Sequence, residues 1–243
     1  MKMKSWLKKL QIRWMFFRWD LSDRKTEREG RRHLVNTLAM LEKSIRVYEQ
    51  RTKQWRGEMT VAVDSNQADM EAKRHAFLRS IEYCMHVHVE AFCHLTRRKH
   101  YESAHHYIRM LSDLCLRAYA ATLFDSAGYD RYVLKFLQGG SYEDMRYKGE
   151  YLTAKKIQAL MAEEYGFVGK AQKEGNTSTH FTNFYCPDFY ASKSSHVKVS
   201  QALEMANIMV ALLLNLMDIL YKIQGKKLDL KGLREELEDA ILS

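Results

Sequence analysis

The stretch Leu203–Tyr221, LEMANIMVALLLNLMDILY, is the best candidate for a membrane span in the chain. Whether it crosses a membrane or is buried in a protein core determines the fold class. It is interrupted by four polar side chains: Glu204, Asn207, Asn215 and Asp218. Charged side chains are costly near the centre of a bilayer. We therefore interpret the stretch as a buried helix that is capped by Ser200 and ends near Ile223.

The segments that precede this helix also have a helical pattern. One proline and eleven glycines in 243 residues leave few positions that would break a helix. Apolar side chains recur at steps of three and four, the spacing of one helix face. The three clearest stripes are Leu34, Leu38, Leu41, Ile45 and Tyr48; then Phe77, Ile81, Cys84, His88, Ala91 and Leu95, supported by Leu78, Met85 and Phe92; then Ile108, Leu111, Cys115 and Ala118. No alternating strand pattern accompanies them, so we predict an all-α helical bundle.

Capping residues predict where these helices begin and end. Thr26 with Glu29 resembles a capping box at the start of the helix that carries Leu34. The other expected helices are about Gln67–Arg98, about Tyr101–Phe124, a short helix that ends at LQGG, and one from a Thr153 cap to Tyr165.

The positive charge of the chain is concentrated near its N-terminus. The net charge is +9, and residues 1–60 hold 16 Lys and Arg against 7 Asp and Glu. Residues 61–243 hold 23 of each and are neutral. We therefore divide the chain into a basic, aromatic-rich N-terminal helical extension, residues 1–60, and a helical bundle domain, residues 61–243. Attraction to phosphate groups is expected in the extension.

The opening residues, MKMKSWLKKLQIRWMFFRWD, mix cations with aromatic side chains. The charges interrupt the apolar core that a secretory signal needs, and four cysteines without close paired spacing are typical of the cytoplasm. The residues expected to contact nucleic acid, including RNA, or a protein partner are Lys4, Trp6, Lys8, Lys9, Arg13, Trp14 and Arg18. Two other interpretations stay open: peripheral membrane contact through residues 1–21, and a helix that packs on the bundle or on a second subunit.

Arg109, Asp113 and His180 are the candidate catalytic residues. Arg109 and Asp113 lie four residues apart and share a helix face, either as an ion-pair ladder or as a wall of a polar pocket. His180 lies between hydroxyl side chains in an irregular loop predicted over residues 166–200, from which it would close that pocket. The sequence contains no phosphate-binding glycine loop, nucleophile elbow or zinc-finger spacing. Enzyme activity is left open, and no cofactor is expected.

A column of potential metal ligands lies on the second helix at steps of four. Its members are Glu82, His86, Glu90 and His94. On a helical wheel the column lies opposite the apolar face, so we interpret it as solvent-exposed and predict no metal site. His88 lies on the apolar face, where we expect a hydrogen-bonded core histidine.

Three segments carry a resemblance to a known group. HHYIRMLSDLCLRAYA (105–120), YKGEYLT (147–153) and NTSTHFTNF (176–184) look like uncharacterised bacterial helical proteins that resemble the HEPN superfamily. The similarity extends over about Gln67 to Ile223. It implies an all-α bundle that is often a dimer, frequently with a toxin–antitoxin or antiviral role.

Ribonucleases of that superfamily use an arginine, a following polar residue and a histidine that meet across a dimer. Three pairs in this chain have comparable spacing: Arg79–His86, Arg98–His105 and Arg28–His33. The residues that directly follow the three arginines are, in the same order, Ser80, Lys99 and Glu29. Asn, Asp or His is more typical at that following position. We therefore expect a helical module that binds nucleic acid or a partner, with a metal-independent ribonuclease effector and a peripheral membrane protein as alternatives.

Overall fold

The computed structural model describes residues 24–58, 65–165 and 195–228, and every structural statement below refers to these ranges. Several predictions fall elsewhere in the chain. Lys4, Trp6, Lys8, Lys9, Arg13, Trp14, Arg18 and His180 lie outside the described residues, as do the proposed membrane contact at 1–21 and most of the loop predicted over 166–200.

The described chain is all-α, as the apolar stripes predict. Its six α-helices are α1 (Arg24–Glu58), α2 (Ser65–Arg97), α3 (Tyr101–Ala121), α4 (Ser126–Leu137), α5 (Ala154–Ala162) and α6 (Ser195–Ile223). Between α4 and α5 lie a 3-10 turn, Tyr142–Asp144, and two short antiparallel strands, β1 (Arg146–Tyr147) and β2 (Glu150–Tyr151). Tyr147 pairs with Glu150 across the turn. A specific relation to the HEPN bundle stays a prediction.

The helix α6 is the centre of the bundle. It packs against α1 on one side and α3 on the other, while α2 packs on α3, α4 and α1. Eleven side chains of α6 that are at most 3% exposed form its contact surface: Ala202, Met205, Ala206, Met209, Leu212, Leu213, Leu216, Met217, Ile219, Leu220 and Tyr221. Val199–Ile223 is the one described helix with the length and hydropathy of a membrane span, and 72% of its most apolar window is buried by the bundle.

The polar side chain Asp218 of α6 is satisfied inside this core. The Tyr165 hydroxyl donates a hydrogen bond of 2.5 Å to Asp218 Oδ2, and Lys222 Nζ lies 3.5 Å from the same oxygen. Burial and this carboxylate raise the pKa of the Tyr165 hydroxyl, which therefore remains a donor. This acidic residue within an apolar helix is thus paired by Tyr165, which follows α5, and by Lys222 of the same helix, rather than exposed.

The helix α1 contributes to the same core, and its predicted stripe is confirmed. Leu34, Leu38, Leu41, Ile45 and Tyr48 are all buried and pack in one cluster with the side chains of α6. The division of the chain at residue 60 stays a prediction. At the level of packing, the described part of residues 1–60 belongs to the bundle.

Several predicted helix ends are confirmed and others are wrong. Thr153 caps α5 by accepting from the Lys156 amide at 3.2 Å, and Gly139 follows α4 as expected. The cap predicted at Thr26 is wrong because α1 already begins at Arg24. Ser200 likewise lies inside α6, which begins five residues earlier at Ser195. Serine and threonine favour caps but also occur within helices that packing stabilises.

The buried face of α2 differs from the predicted stripe. Phe77 and Ile81 are buried as expected, and so are the supporting members Met85 and Phe92, but the core also includes Val89, which was not predicted. The predicted members Cys84, His88, Ala91 and Leu95 are only half-buried. Because α2 is covered by several neighbours, no single stripe describes its contacts.

Candidate functional site

The helices α1 and α2 run antiparallel, which brings the start of α1 to the end of α2. Near the end of α2, the Cys93 thiol donates to Leu38 O in the first half of α1 at 3.8 Å. Closer to the middle of α2, the Tyr48 hydroxyl of α1 donates to Glu82 Oε1 at 3.2 Å. At the opposite end, the charge of Arg31 acts on the Tyr101 hydroxyl at the start of α3. The first turns of α1 therefore lie beside the α2–α3 connection.

A set of exposed cationic and imidazole side chains lies at this end of the bundle. We call it the basic end, and its members are Arg28, Arg31, Arg32, His33, Arg98, Lys99 and His100. The acidic residues nearest to these members in sequence are Glu27, Glu29 and Glu102. Glu42, further along α1, is bound by both terminal nitrogens of Arg97, whose hydrogen bonds lower the pKa of the Glu42 carboxyl. The excess charge of the basic end is thus positive.

Lys99 has a left-handed backbone conformation, which residues other than glycine rarely adopt. Its φ is 63°, and it follows α2 in a Schellman arrangement. The His100 amide donates to Leu95 O at 2.9 Å, and the Lys99 amide donates to Thr96 O at 3.0 Å. The same arrangement ends α4 at Gly139 and α6 at Gly225. Of these three left-handed positions, two hold glycine, and the one at the basic end holds the cation Lys99.

Arg109 and Asp113, the sequence-predicted pair, form an ion pair within α3. Arg109 Nε donates to Asp113 Oδ2 at 2.8 Å, and both side chains are partly exposed. Their charges also act on the nearby Tyr142 hydroxyl, whose pKa is raised chiefly by burial. This arrangement matches the ion-pair ladder. A pocket that His180 closes stays a prediction, because His180 lies outside the described residues.

The three arginine–histidine pairs differ in their surroundings. His105 of the Arg98 pair is a core residue, 1% exposed, and burial lowers its pKa to about 4. His86 of the Arg79 pair lies between two carboxylates, with Nδ1 at 2.9 Å from Glu49 Oε1 and Nε2 at 3.0 Å from Glu90 Oε1. Arg28 and His33 are both exposed and belong to the basic end.

The column of Glu and His side chains on α2, which was predicted to be solvent-exposed, is exposed only in part. Glu90 and His94 are exposed as expected, but Glu82 and His86 are half-buried against α1. Within the described ranges, no group of three or more His, Cys, Asp or Glu side chains could hold a metal ion.

His88 lies half-buried against the ring of Tyr107, with 5.9 Å between ring centroids. Its Nδ1 has no hydrogen-bond partner among the described residues, so the expected hydrogen-bonded core histidine is wrong in detail. Burial, and then the charge of His106, lower the pKa of His88.

The sequence signal that finds the basic end is weak because its two parts are distant in the chain. Arg28–His33 and Arg98–His100 are separated by more than sixty residues, and only the antiparallel pairing of α1 with α2 joins them. Comparison of the chain with protein-family models, with curated proteins and with solved structures returns no match. The functional inference therefore rests on the contacts and charges of the chain itself.

Proposed function

We propose that this protein binds nucleic acid by contacting the phosphate backbone of the nucleic acid. The contact surface would be the basic end together with residues 1–23. One observation carries the proposal: exposed cations of α1 and of the α2–α3 turn lie together at the N-terminal end of α1. Residues 1–23 join the chain at that same end. Phosphate contacts by Lys and Arg supply most of non-specific nucleic-acid affinity.

The composition of the surface favours contact with phosphate over recognition of bases. The exposed residues within 28–35 and 97–100, which surround the basic end, include no Trp, Tyr or Phe. Base edges are read by side chains that enter a groove, whereas cations spread over a bundle end follow the backbone. Trp6 and Trp14 would add stacking on unpaired bases, which favours single-stranded RNA or DNA. The proposed binding is therefore largely independent of sequence.

Two separate changes test this proposal by fluorescence anisotropy with a labelled 20-nucleotide poly(U) strand. Deletion of residues 1–23 and the triple change Arg28→Gln, Arg32→Gln and Arg98→Gln should each weaken binding at least about tenfold in 0.1 M salt. A triple with the same loss of charge, Arg46→Gln, Arg117→Gln and Arg131→Gln, removes exposed arginines elsewhere. It should change affinity by less than about threefold. Equal losses in the two triples would reject the basic end as the contact surface.

A ribonuclease is the second candidate, and one specific observation favours it. Arg28 and His33 are the arginine–histidine pair in which both members are exposed, and they lie within the proposed contact surface. A histidine can transfer the 2′-hydroxyl proton while an arginine stabilises the charged phosphate, without a metal ion. Cleavage of the RNA in EDTA that His33→Ala abolishes, while binding is retained, would support this candidate. Intact RNA after prolonged incubation would reject it.

Peripheral membrane contact through residues 1–21 remains the other proposal for this region. Its test is flotation of the full chain with liposomes that contain anionic lipid. A chain that stays at the bottom of the gradient at low salt would remove it.

A further inference from the structure

A groove of roughly 730 Å³ lies at the end of the bundle away from the basic end. One face of α2 forms a wall of the groove: Glu71, Arg74, His75, Leu78, Arg79 and Glu82. The facing wall comes from the ends of two other helices, with Tyr119 and Phe124 at the end of α3 and Ile223 and Lys226 at the end of α6. Its volume is within the range of sites for small molecules.

Most charged side chains of the groove are already used in contacts within the protein. Arg74 donates to both oxygens of Asp130 at 2.7 and 3.0 Å, and its guanidinium carbon lies 5.8 Å from the ring centroid of Tyr129. Lys222 pairs with Glu164 and donates to the Tyr165 hydroxyl at 2.6 Å. Arg74 and Lys222 each face two carboxylates, so neither has positive charge left for a ligand.

The acidic side chains of the groove are also engaged. Glu71 accepts from Arg74 at 3.3 Å, and Glu82 accepts from the Tyr48 hydroxyl. Asp125 accepts from the Gly128 amide at 2.8 Å and caps α4. The carboxylates are therefore partners of the fold rather than sites for a cationic ligand.

Arg79 is the exception. It is exposed, lines the groove, and forms no hydrogen bond or ion pair with any residue in 24–58, 65–165 or 195–228. Leu78 lies beside Arg79 on α2, and Phe124 and Ile223 supply apolar surface across the groove. A guanidinium presents paired donors that match a carboxylate or sulfonate.

We propose that the groove is a binding site for a small organic acid. The acid group would lie at Arg79, and an aromatic or aliphatic body would lie against Leu78 and Phe124. The inference is independent of nucleic-acid binding, because none of the groove residues named here belongs to the basic end. The site requires one negative charge and an apolar body together, since neither Arg79 alone nor the apolar wall alone provides much affinity.

The test compares 2-naphthoate with the neutral 2-naphthamide, two probes of nearly the same shape, by NMR titration of the full chain. Naphthoate should bind saturably, with amide shifts concentrated at residues 74–82 and 222–226, and about fivefold more tightly than naphthamide. Arg79→Gln should remove that preference. Arg131→Gln, which removes an exposed arginine outside the groove, should retain it.

Three results would overturn the proposal. They are no saturable binding of naphthoate, shifts that map outside the groove, and an unchanged preference for naphthoate in Arg79→Gln. Thermal unfolding of Arg79→Gln is measured alongside. An exposed residue without described partners should leave the midpoint within about 2 °C, so a lost preference reports binding rather than folding.

Discussion

At the scale of single residues, Lys99 combines a strained backbone with a cation on the proposed contact surface. The left-handed conformation costs a residue with a Cβ atom about 1 kcal/mol relative to glycine. Gly139 and Gly225 occupy the equivalent positions at the ends of α4 and α6. A lysine at the third such position gives up stability and places a positive charge on the basic end.

Lys99→Gly should therefore raise the free energy of unfolding by about 1 kcal/mol and weaken nucleic-acid binding. Urea denaturation and the anisotropy titration measure the two effects. Lys99→Ala is the matched control, because it removes the charge but keeps the strain. It should weaken binding to the same degree without a gain in stability. A Lys99→Gly protein that binds as tightly as the unchanged chain would separate Lys99 from the contact surface.

His105 makes the stability of the fold depend on pH. Burial lowers its pKa to about 4, below the value of 6.5 for an exposed histidine. Between these values the unfolded chain binds a proton that the folded chain does not, so the free energy of unfolding falls as pH falls. The full shift corresponds to a loss of about 3 kcal/mol, complete near pH 4.

Replacement of His105 by leucine should reduce this dependence. Urea denaturation at pH 7 and at pH 5 compares the two proteins, and the readout is the difference between the two pH values rather than either stability alone. The loss between pH 7 and pH 5 should be smaller by about 2 kcal/mol in His105→Leu. An identical loss in both proteins would mean that other groups bind the protons.

At the scale of elements, α1 stabilises the bundle through the side chains that face α6. Leu41 is 0% exposed and packs in the common core, whereas Val35 on the same helix is 62% exposed. Leu41→Ala should lower the free energy of unfolding by 2 to 5 kcal/mol, roughly the range for a buried leucine. Val35→Ala should change it by less than about 0.5 kcal/mol. Equal, small effects of both changes in urea denaturation would show that α1 is an appendage.

The apolar stripes predicted from the sequence are confirmed on α1 and α3 and are partly wrong on α2. All nine predicted residues of α1 and α3 are buried, although α3 contacts α2, α4, α5 and α6, because these nine lie on the sides that meet the common core. On α2 the helical-wheel analysis did not predict that Val89 is buried, and it predicted solvent exposure for Glu82 and His86, which are half-buried. The reason is that α1, α3 and α4 contact α2 from different directions. The pair β1–β2 was not predictable, because strands of two residues carry no periodic signal.

Caps within α1 and α6 show a second limit of the sequence. Thr26 and Ser200 have the side chains of good caps, yet both lie inside helices. Propensity at a single position amounts to about 1 kcal/mol, and the burial of an apolar face outweighs it. Thr153 and Asp125 act as caps where the chain turns sharply before a short helix.

At the scale of the whole molecule, two surfaces of different character lie at opposite ends of the bundle. The basic end gathers cations that the sequence separates, and it adjoins the N-terminal segment that is also basic. The groove at the other end balances most of its charges internally and leaves Arg79 for a ligand. Charge counting predicts a basic N-terminal region, but only the pairing of α1 with α2 adds Arg98, Lys99 and His100 to it.

The central claim is that the basic end contacts phosphates, and the salt dependence of binding tests it most directly. For single strands, each phosphate contact contributes about 0.7 to the slope of log Kobs against log salt. The triple change of Arg28, Arg32 and Arg98 to glutamine should reduce the slope by about 2. The control triple at Arg46, Arg117 and Arg131 should leave it unchanged within about 0.3. An equal slope for all three proteins, or an equal reduction in both triples, would contradict the account.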